Sequence, residues 1–505
     1  MQTSNSVPIA GTTRQVWPGS KPAATVDAST DVLLTAWFRP KRDGNIDAGS
    51  ARKLGETLPR SRVYTPRSSL AQQTGADPDD VELLRRYCEQ FDLRMFEAHW
   101  QTALISGPIG RLTEAFGADV AIFVDPGERR FRHRTGALHA PPEIAAVLRG
   151  VFGLLEWPRS KRIGALQRHS TPLYASDVVT RYQFPEGDGS GQTIGVVQLR
   201  GTFKQSDFDQ CMRTQEISAP PPIVKRVDDA VTVHELETSK DLEAALDTQI
   251  VGALAPGARV VVYEAPDTER GFLDAIRTAL FDEEYQPSVL SISYGWPESL
   301  WTPVALSILD ELFTAAALIG VSVFCSSGDH GAELDYDGSP QVLAPASSPF
   351  AHACGATVLP GDDVAGDEVA WEQTGGGFSS VYSVPTWQST VSAVAAEYRA
   401  KAGRGVPDVA AQERPGYCVF VDGIELAMGG TSAIAPVWAA LAARINQRLG
   451  VSVGFFAPLL YRGSNNGCFR DVTAGNNDRF HAQSGWNPCT GLGVPIGTAI
   501  EAELT

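Results

Sequence analysis

The chain has 505 residues, of which 43% are hydrophobic and 20% charged, with a formal net charge of −17 at pH 7. That length exceeds one ordinary core, so two domains are expected. No apolar run is long enough to cross a bilayer as a helix, and the negative charge would repel a polyanion, so neither membrane insertion nor nucleic-acid binding is expected.

In chain order, residues 31–39 (DVLLTAWFR) read as a strand. Asp77 is placed as a helix N-cap with Pro78 at the first helical position, and Val81, Leu83, Leu84 and Tyr87 supply an apolar face. A strand at 96–104, a helix at 108–116 stopped by Gly117 and a strand at 120–124 follow. This order predicts a small α+β domain with an antiparallel sheet over residues 1–157. Residues 158–172 then read PRSKRIGALQRHSTP, a basic, proline-bounded segment without periodicity, expected to be an exposed linker. Beyond it, over 173–505, TIGVVQL, ARVVVYEA, SVLSISYG and VSVFCSSG are continuous apolar runs of strand length, which predict a parallel α/β sheet covered on both faces.

The start of the chain lacks the basic and apolar regions of a signal peptide. Seven cysteines, Cys88, Cys211, Cys325, Cys354, Cys418, Cys468 and Cys489, are odd in number and widely spaced, and spell no disulfide framework. The candidate pairing joins Cys468 and Cys489, which flank one loop; the others read as buried small apolar residues.

Chemistry concentrates in three places. In MGGTSAIAPVWAALAARINQRLG (428–450), glycines turn the chain, Ser432 opens a helix, and Ala433, Val437, Leu441 and Ile445 form its buried stripe. Ser432 is either an N-cap or a nucleophile whose helix N-terminus favours developing negative charge. A serine nucleophile needs a base. None of the eight histidines sits in a His-Gly-Thr segment, and only His234 and His330 lie near informative motifs. Glu243 and Asp247 stand i, i+4 on a partly apolar helix with Leu242, Ala245, Leu246 and Ile250. They are either a solvated acidic face or a buried pair that shares a proton and accepts another from serine. Asp329 follows the strand VSVFCSSG, as a turn former or as a group facing the crevice at the sheet's carboxyl end.

Together, EAALD (243–247), SISYGWPES (291–299), SSGDHG (326–331), TGGGFSS (374–380), GRGVPDVA (403–410), GGTSAIAP (429–436), FRDVTAGNND and GWNPCTGLG resemble, in this order, the sedolisin family of serine-carboxyl peptidases in its kumamolisin-like branch, over nearly the whole chain. The resemblance implies a subtilisin-like α/β catalytic domain preceded by an α+β, ferredoxin-like propeptide that acts as an intramolecular inhibitor. It further implies a secreted, monomeric zymogen of an endopeptidase acting on protein or peptide substrates at acidic pH. Ser432 would be the nucleophile, Glu243 the general acid/base, Asp247 the group orienting Glu243, and Asp329, protonated, the oxyanion donor.

It also implies one calcium ion, held by Asp471, the carbonyls of Val472, Gln483 and Gly485, and the side chain of Asn487, where similar proteins commonly have Asp. Gln198 and Tyr294 occupy positions where relatives carry a Glu and a Trp that extend the hydrogen-bond chain, a change expected to shift the pH profile or lower the rate. The competing readings are a pseudopeptidase that only binds peptide and a histidine-dependent subtilisin-type hydrolase.

Overall fold

A computed structural model describes residues 6–41, 44, 46–156, 172–228, 238–332, 340–360 and 366–505. The four apolar runs singled out in the sequence are adjacent strands of one eight-stranded sheet: Arg259–Ala265, Thr193–Leu199, Val289–Ile292 and Ser322–Ser326, in that spatial order and parallel. Ile223–Arg226 extends the sheet at one edge; His352–Val358, Val409–Arg414 and the short antiparallel Val369–Ala370 complete the other. All seven residues of Thr193–Leu199 are buried, as a central strand covered on both faces requires.

The period-2 alternation of that strand separates two cores. Ile194 and Val196 join the apolar cluster that contains helices Thr238–Leu254 and Thr431–Leu449. Val197 and Leu199 join the cluster built from helices Glu269–Leu280 and Pro303–Ile319 on the opposite face. The two helices that carry Glu243, Asp247 and Ser432 therefore lie side by side on one face of the sheet.

Upstream, four antiparallel strands run in the spatial order Arg94–His99, Thr102–Pro108, Asp31–Phe38 and Leu148–Phe152. With helices Pro78–Glu89 and Ile109–Ala115 between them in sequence, this is the β-α-β-β-α-β ferredoxin-like arrangement. Asp77 caps its helix as expected, accepting from the Asp79 N–H at 2.9 Å. The single strand expected at 96–104 is instead a hairpin: Trp100 takes a left-handed φ of 53°, so the chain reverses inside a run whose composition gave no turn signal. The strand Asp119–Val124 belongs to a separate sheet with Lys21–Thr25 and Arg130–Thr135. Most of the 158–172 linker lies outside the described residues; the chain resumes where Leu173 pairs with the hairpin at Tyr417.

The two parts are packed together. Trp17, Trp37, Ala51, Leu70 and Phe152 enter the cluster of the second sheet face, beside Phe272, Trp301 and Phe455. Polar ties surround this contact: Arg14 to Glu269 at 2.5 Å, Thr35 Oγ1 donating to Asp274 at 2.6 Å, Gln101 donating to Glu311 at 2.8 Å, and an Arg149–Glu311 ion pair.

All seven cysteines are free and buried, so no Cys468–Cys489 bridge forms. The Cys468 thiol points at the Ala499 carbonyl and that of Cys489 at Phe480.

Candidate active site

Ser432 lies in the first turn of helix Thr431–Leu449, entered through Gly430 at φ 92°, ψ 169°. That combination is essentially restricted to glycine. Gly429 is equally constrained by its surroundings, since a Cβ there would meet the Glu413 carbonyl at 2.3 Å. One turn later Pro436 interrupts the ladder: lacking an N–H, it cannot serve the carbonyl of Ser432 four residues back. The hydroxyl of Ser293 faces that carbonyl at 3.2 Å instead.

The carboxylates come from the neighbouring helix, Thr238–Leu254, whose rotation is fixed by Gln249. Its amide exchanges two 2.8 Å hydrogen bonds with the backbone of Phe420. Glu243 and Asp247 are 7% and 0% exposed, which excludes the solvated acidic face. Burial, reinforced by repulsion from Asp247 and to a smaller degree Asp329, pushes the Glu243 carboxyl well above its ordinary range, while the hydroxyl of Ser432 pulls it partly back. Burial also pushes Asp247 up to about 8, against a hydrogen bond from Ser293 that lowers it. Ser432 Oγ is thus close enough to act on Glu243, yet makes no tight hydrogen bond among the described residues. Such loose approach is common before substrate binds.

Ser293 Oγ lies 2.8 Å from Asp247 Oδ1 and 3.2 Å from the Ser432 carbonyl, but it carries a single proton. The hydroxyl can therefore donate to the Asp247 carboxyl or to the Ser432 carbonyl at any one time, and this one side chain lies between the two helices.

Asp329 sits just past strand Ser322–Ser326 and is 4% exposed. Its Oδ1 accepts from both the N–H (2.8 Å) and the hydroxyl (2.6 Å) of Thr431, while the Gly328 N–H donates to that hydroxyl at 3.1 Å. Asp329 is therefore tied to the residue immediately before Ser432 rather than merely shaping a turn. Glu413 approaches from below the same turn, accepting from the Gly430 N–H at 3.3 Å, and burial pushes it up to about 7.

Gln198 and Tyr294 meet as a pair behind the carboxylates. Gln198 Nε2 donates to the Tyr294 hydroxyl and to the Arg200 carbonyl, both at 2.7 Å. Burial and the nearby Glu243 and Asp247 raise the Tyr294 phenol well above its usual range. Ser293, Thr431 and Glu413 were not singled out from sequence. The first two lie inside motifs that were, SISYG and GGTS, where a hydroxyl beside a catalytic-looking residue was the available signal. Glu413 had none.

No histidine base is assembled from the described residues around Ser432. His330 is exposed next to Asp329, His234 lies outside the described residues, and His352 is buried against Phe324 and Phe456, its pKa pushed down to about 3.

Four of the five residues assigned to calcium meet, and the fifth, Asp471, binds the adjoining backbone. The Val472, Gln483 and Gly485 carbonyls surround one point, and Asp471 Oδ2 accepts from Ser484 Oγ (2.7 Å) and the Gly485 N–H (3.0 Å). The point itself is taken by the side-chain nitrogen of Asn487, 3.0 Å from Gln483 O, 3.4 Å from Gly485 O and 3.5 Å from Val472 O. A calcium cage requires lone pairs facing the centre, and here an N–H donor faces the carbonyls. Among the described residues, no group of three or more His, Cys, Asp or Glu side chains could hold a metal. This donor set does not fit calcium.

No family model matches the chain. Kumamolisin from Bacillus sp. (strain MN-32) is 37% identical over 531 aligned residues, spanning 97% of this chain and 95% of that protein. Tripeptidyl-peptidase sed5 of Aspergillus fumigatus (strain ATCC MYA-4609 / CBS 101355 / FGSC A1100 / Af293) is 25% identical across 98% of this chain and 97% of its own length. Among solved structures, Pseudomonas sedolisin (serine-carboxyl proteinase) complexed with two molecules of pseudo-iodotyrostatin superposes with a TM-score of 0.59 at 24% identity, covering 66% of this chain and 98% of that one, a likeness of fold. End-to-end relatedness to kumamolisin, on the sheet and helix arrangement described above, establishes that the chain is a serine peptidase and belongs to the sedolisin family of serine-carboxyl peptidases.

Proposed function

We propose that this serine peptidase is an acid endopeptidase made as a zymogen, with residues 1–157 as its inhibitory propeptide, and that it works outside the cell on protein or peptide substrates. The observation that carries the reading is the convergence of Ser432, Glu243 and Asp247 from two adjacent buried helices, with both carboxyl pKa values raised. Ser432 Oγ attacks the scissile carbonyl as Glu243 takes its proton; Asp247, held by Ser293, keeps Glu243 oriented and partly protonated across the pair. The carbonyl oxygen, becoming an oxyanion, receives a hydrogen bond from the protonated carboxyl of Asp329, a role that requires acid. Glu243 returns the proton to the departing amine, the C–N bond breaks, and water then hydrolyses the ester on Ser432 with Glu243 again as base.

The zymogen reading is supported by the shared apolar cluster and ion pairs between the ferredoxin-like part and the catalytic sheet. The test is incubation of purified full-length protein at pH 4 and at pH 7, followed by intact mass, for wild type and Ser432→Ala. Loss of a segment ending within 158–172, in acid and only with Ser432 present, is expected. An intact chain under every condition would overturn the reading.

A further inference from the structure

Asn487 has no solvent exposure, and the two ends of its carboxamide do opposite work. Its Oδ1 accepts from the Cys489 N–H (3.1 Å), the Thr490 N–H (3.0 Å) and the Thr490 hydroxyl (3.2 Å). Backbone N–H groups can only donate, so these contacts settle which end is oxygen. The nitrogen must then face the carbonyls of Val472, Gln483 and Gly485. An aspartate in the same rotamer would direct an oxygen at three carbonyl oxygens, which is tolerable only with a cation between them. The amide reverses that requirement, since its N–H bonds point where positive charge would sit.

We propose that the Asn487 amide takes the place of a bound calcium ion in this loop, so that the segment between strands Phe469–Arg470 and Val494–Pro495 is held without metal. The neighbouring Asn477 works in the same manner: fully buried, it donates to the Thr374 and Pro488 carbonyls at 3.2 Å and accepts from the Phe480 N–H at 3.1 Å. Asp471, the one carboxylate of the set, has its Oδ2 engaged by Ser484 and Gly485.

The test uses full-length Ser432→Ala protein, which stays whole. After desalting, calcium content is measured by mass spectrometry, and Tm is recorded at pH 7 in excess EGTA and in millimolar calcium chloride. Calcium well below one equivalent and the same Tm in both buffers are expected. One equivalent of calcium, or a Tm lowered by about 3 °C or more on chelation, would overturn the proposal. In the same background Asn487→Asp is expected to melt lower in EGTA and to recover with calcium. If that variant folds and its Tm ignores calcium, the loop is not a cation cage closed by an amide, and the proposal falls.

Discussion

Asp247 shows how burial sets chemistry at a single residue. Its carboxyl titrates near 8 in the fold and near 3.8 unfolded, so between those values the folded chain holds a proton that the unfolded chain releases. Stability from this group is therefore full at low pH and lost as pH rises toward 8. In the Ser432→Ala background, Tm is expected to be higher at pH 4 than at pH 8, and Asp247→Asn is expected to shrink that difference; an undiminished difference would assign the pH dependence elsewhere. Ser293, which bridges Asp247 and the Ser432 carbonyl, is a positioning residue. Losing one buried hydrogen bond corresponds to about tenfold in rate, so Ser293→Ala should lower kcat by about that factor with KM little changed. Ser293→Thr, which keeps the hydroxyl, should recover most of it. Gln198→Glu places a carboxyl beside Tyr294 and behind the pair, and is expected to move the pH profile of kcat; an unmoved profile would detach Gln198 from the proton network.

At the scale of elements, the site depends on how one helix begins and how its neighbour is rotated. Gly430 adopts a conformation that side chains resist, and Gly430→Ala should destabilise the chain by about 1–3 kcal/mol, read from urea unfolding, and shift Ser432 off its position. The Ser432 motif and the Glu243–Asp247 spacing were legible because a glycine turn before an apolar helix and an i, i+4 pair are local patterns. What the spacing could not say was whether the pair faced water. That was decided by Gln249 gripping the Phe420 backbone, a contact 171 residues apart in sequence. The hairpin at Trp100 was missed for a related reason, because β-strand residues on both sides of the turn read as one run.

For the whole molecule, the ferredoxin-like part is bound to the catalytic sheet by a shared apolar cluster bordered by Arg14–Glu269 and Arg149–Glu311. Removing both cations leaves Glu269, 3% exposed, without its partner, and weakens the docking. The double variant Arg14→Ala, Arg149→Ala is expected to convert to the shorter form faster and at higher pH than wild type, followed by intact mass against time; unchanged conversion would show that these pairs do not hold the two parts together.

Strand runs and the segments that carry Ser432 and the Glu243–Asp247 spacing were readable from residues in order, because periodicity, turn chemistry and motif spacing are properties of short segments. The continuous apolar run along Thr193–Leu199 even implies a sheet covered on both sides. Tertiary contact alone decided that Glu243 and Asp247 are buried and share their environment with Ser432, and that Ser293, Thr431 and Glu413 hold the site. It also decided that Asn487 turns its nitrogen, rather than an oxygen, toward the carbonyl cage. Each of these depends on which group lies across a packed interface, and a carboxyl's pKa or an amide's orientation is set by those neighbours and not by the residue's own identity.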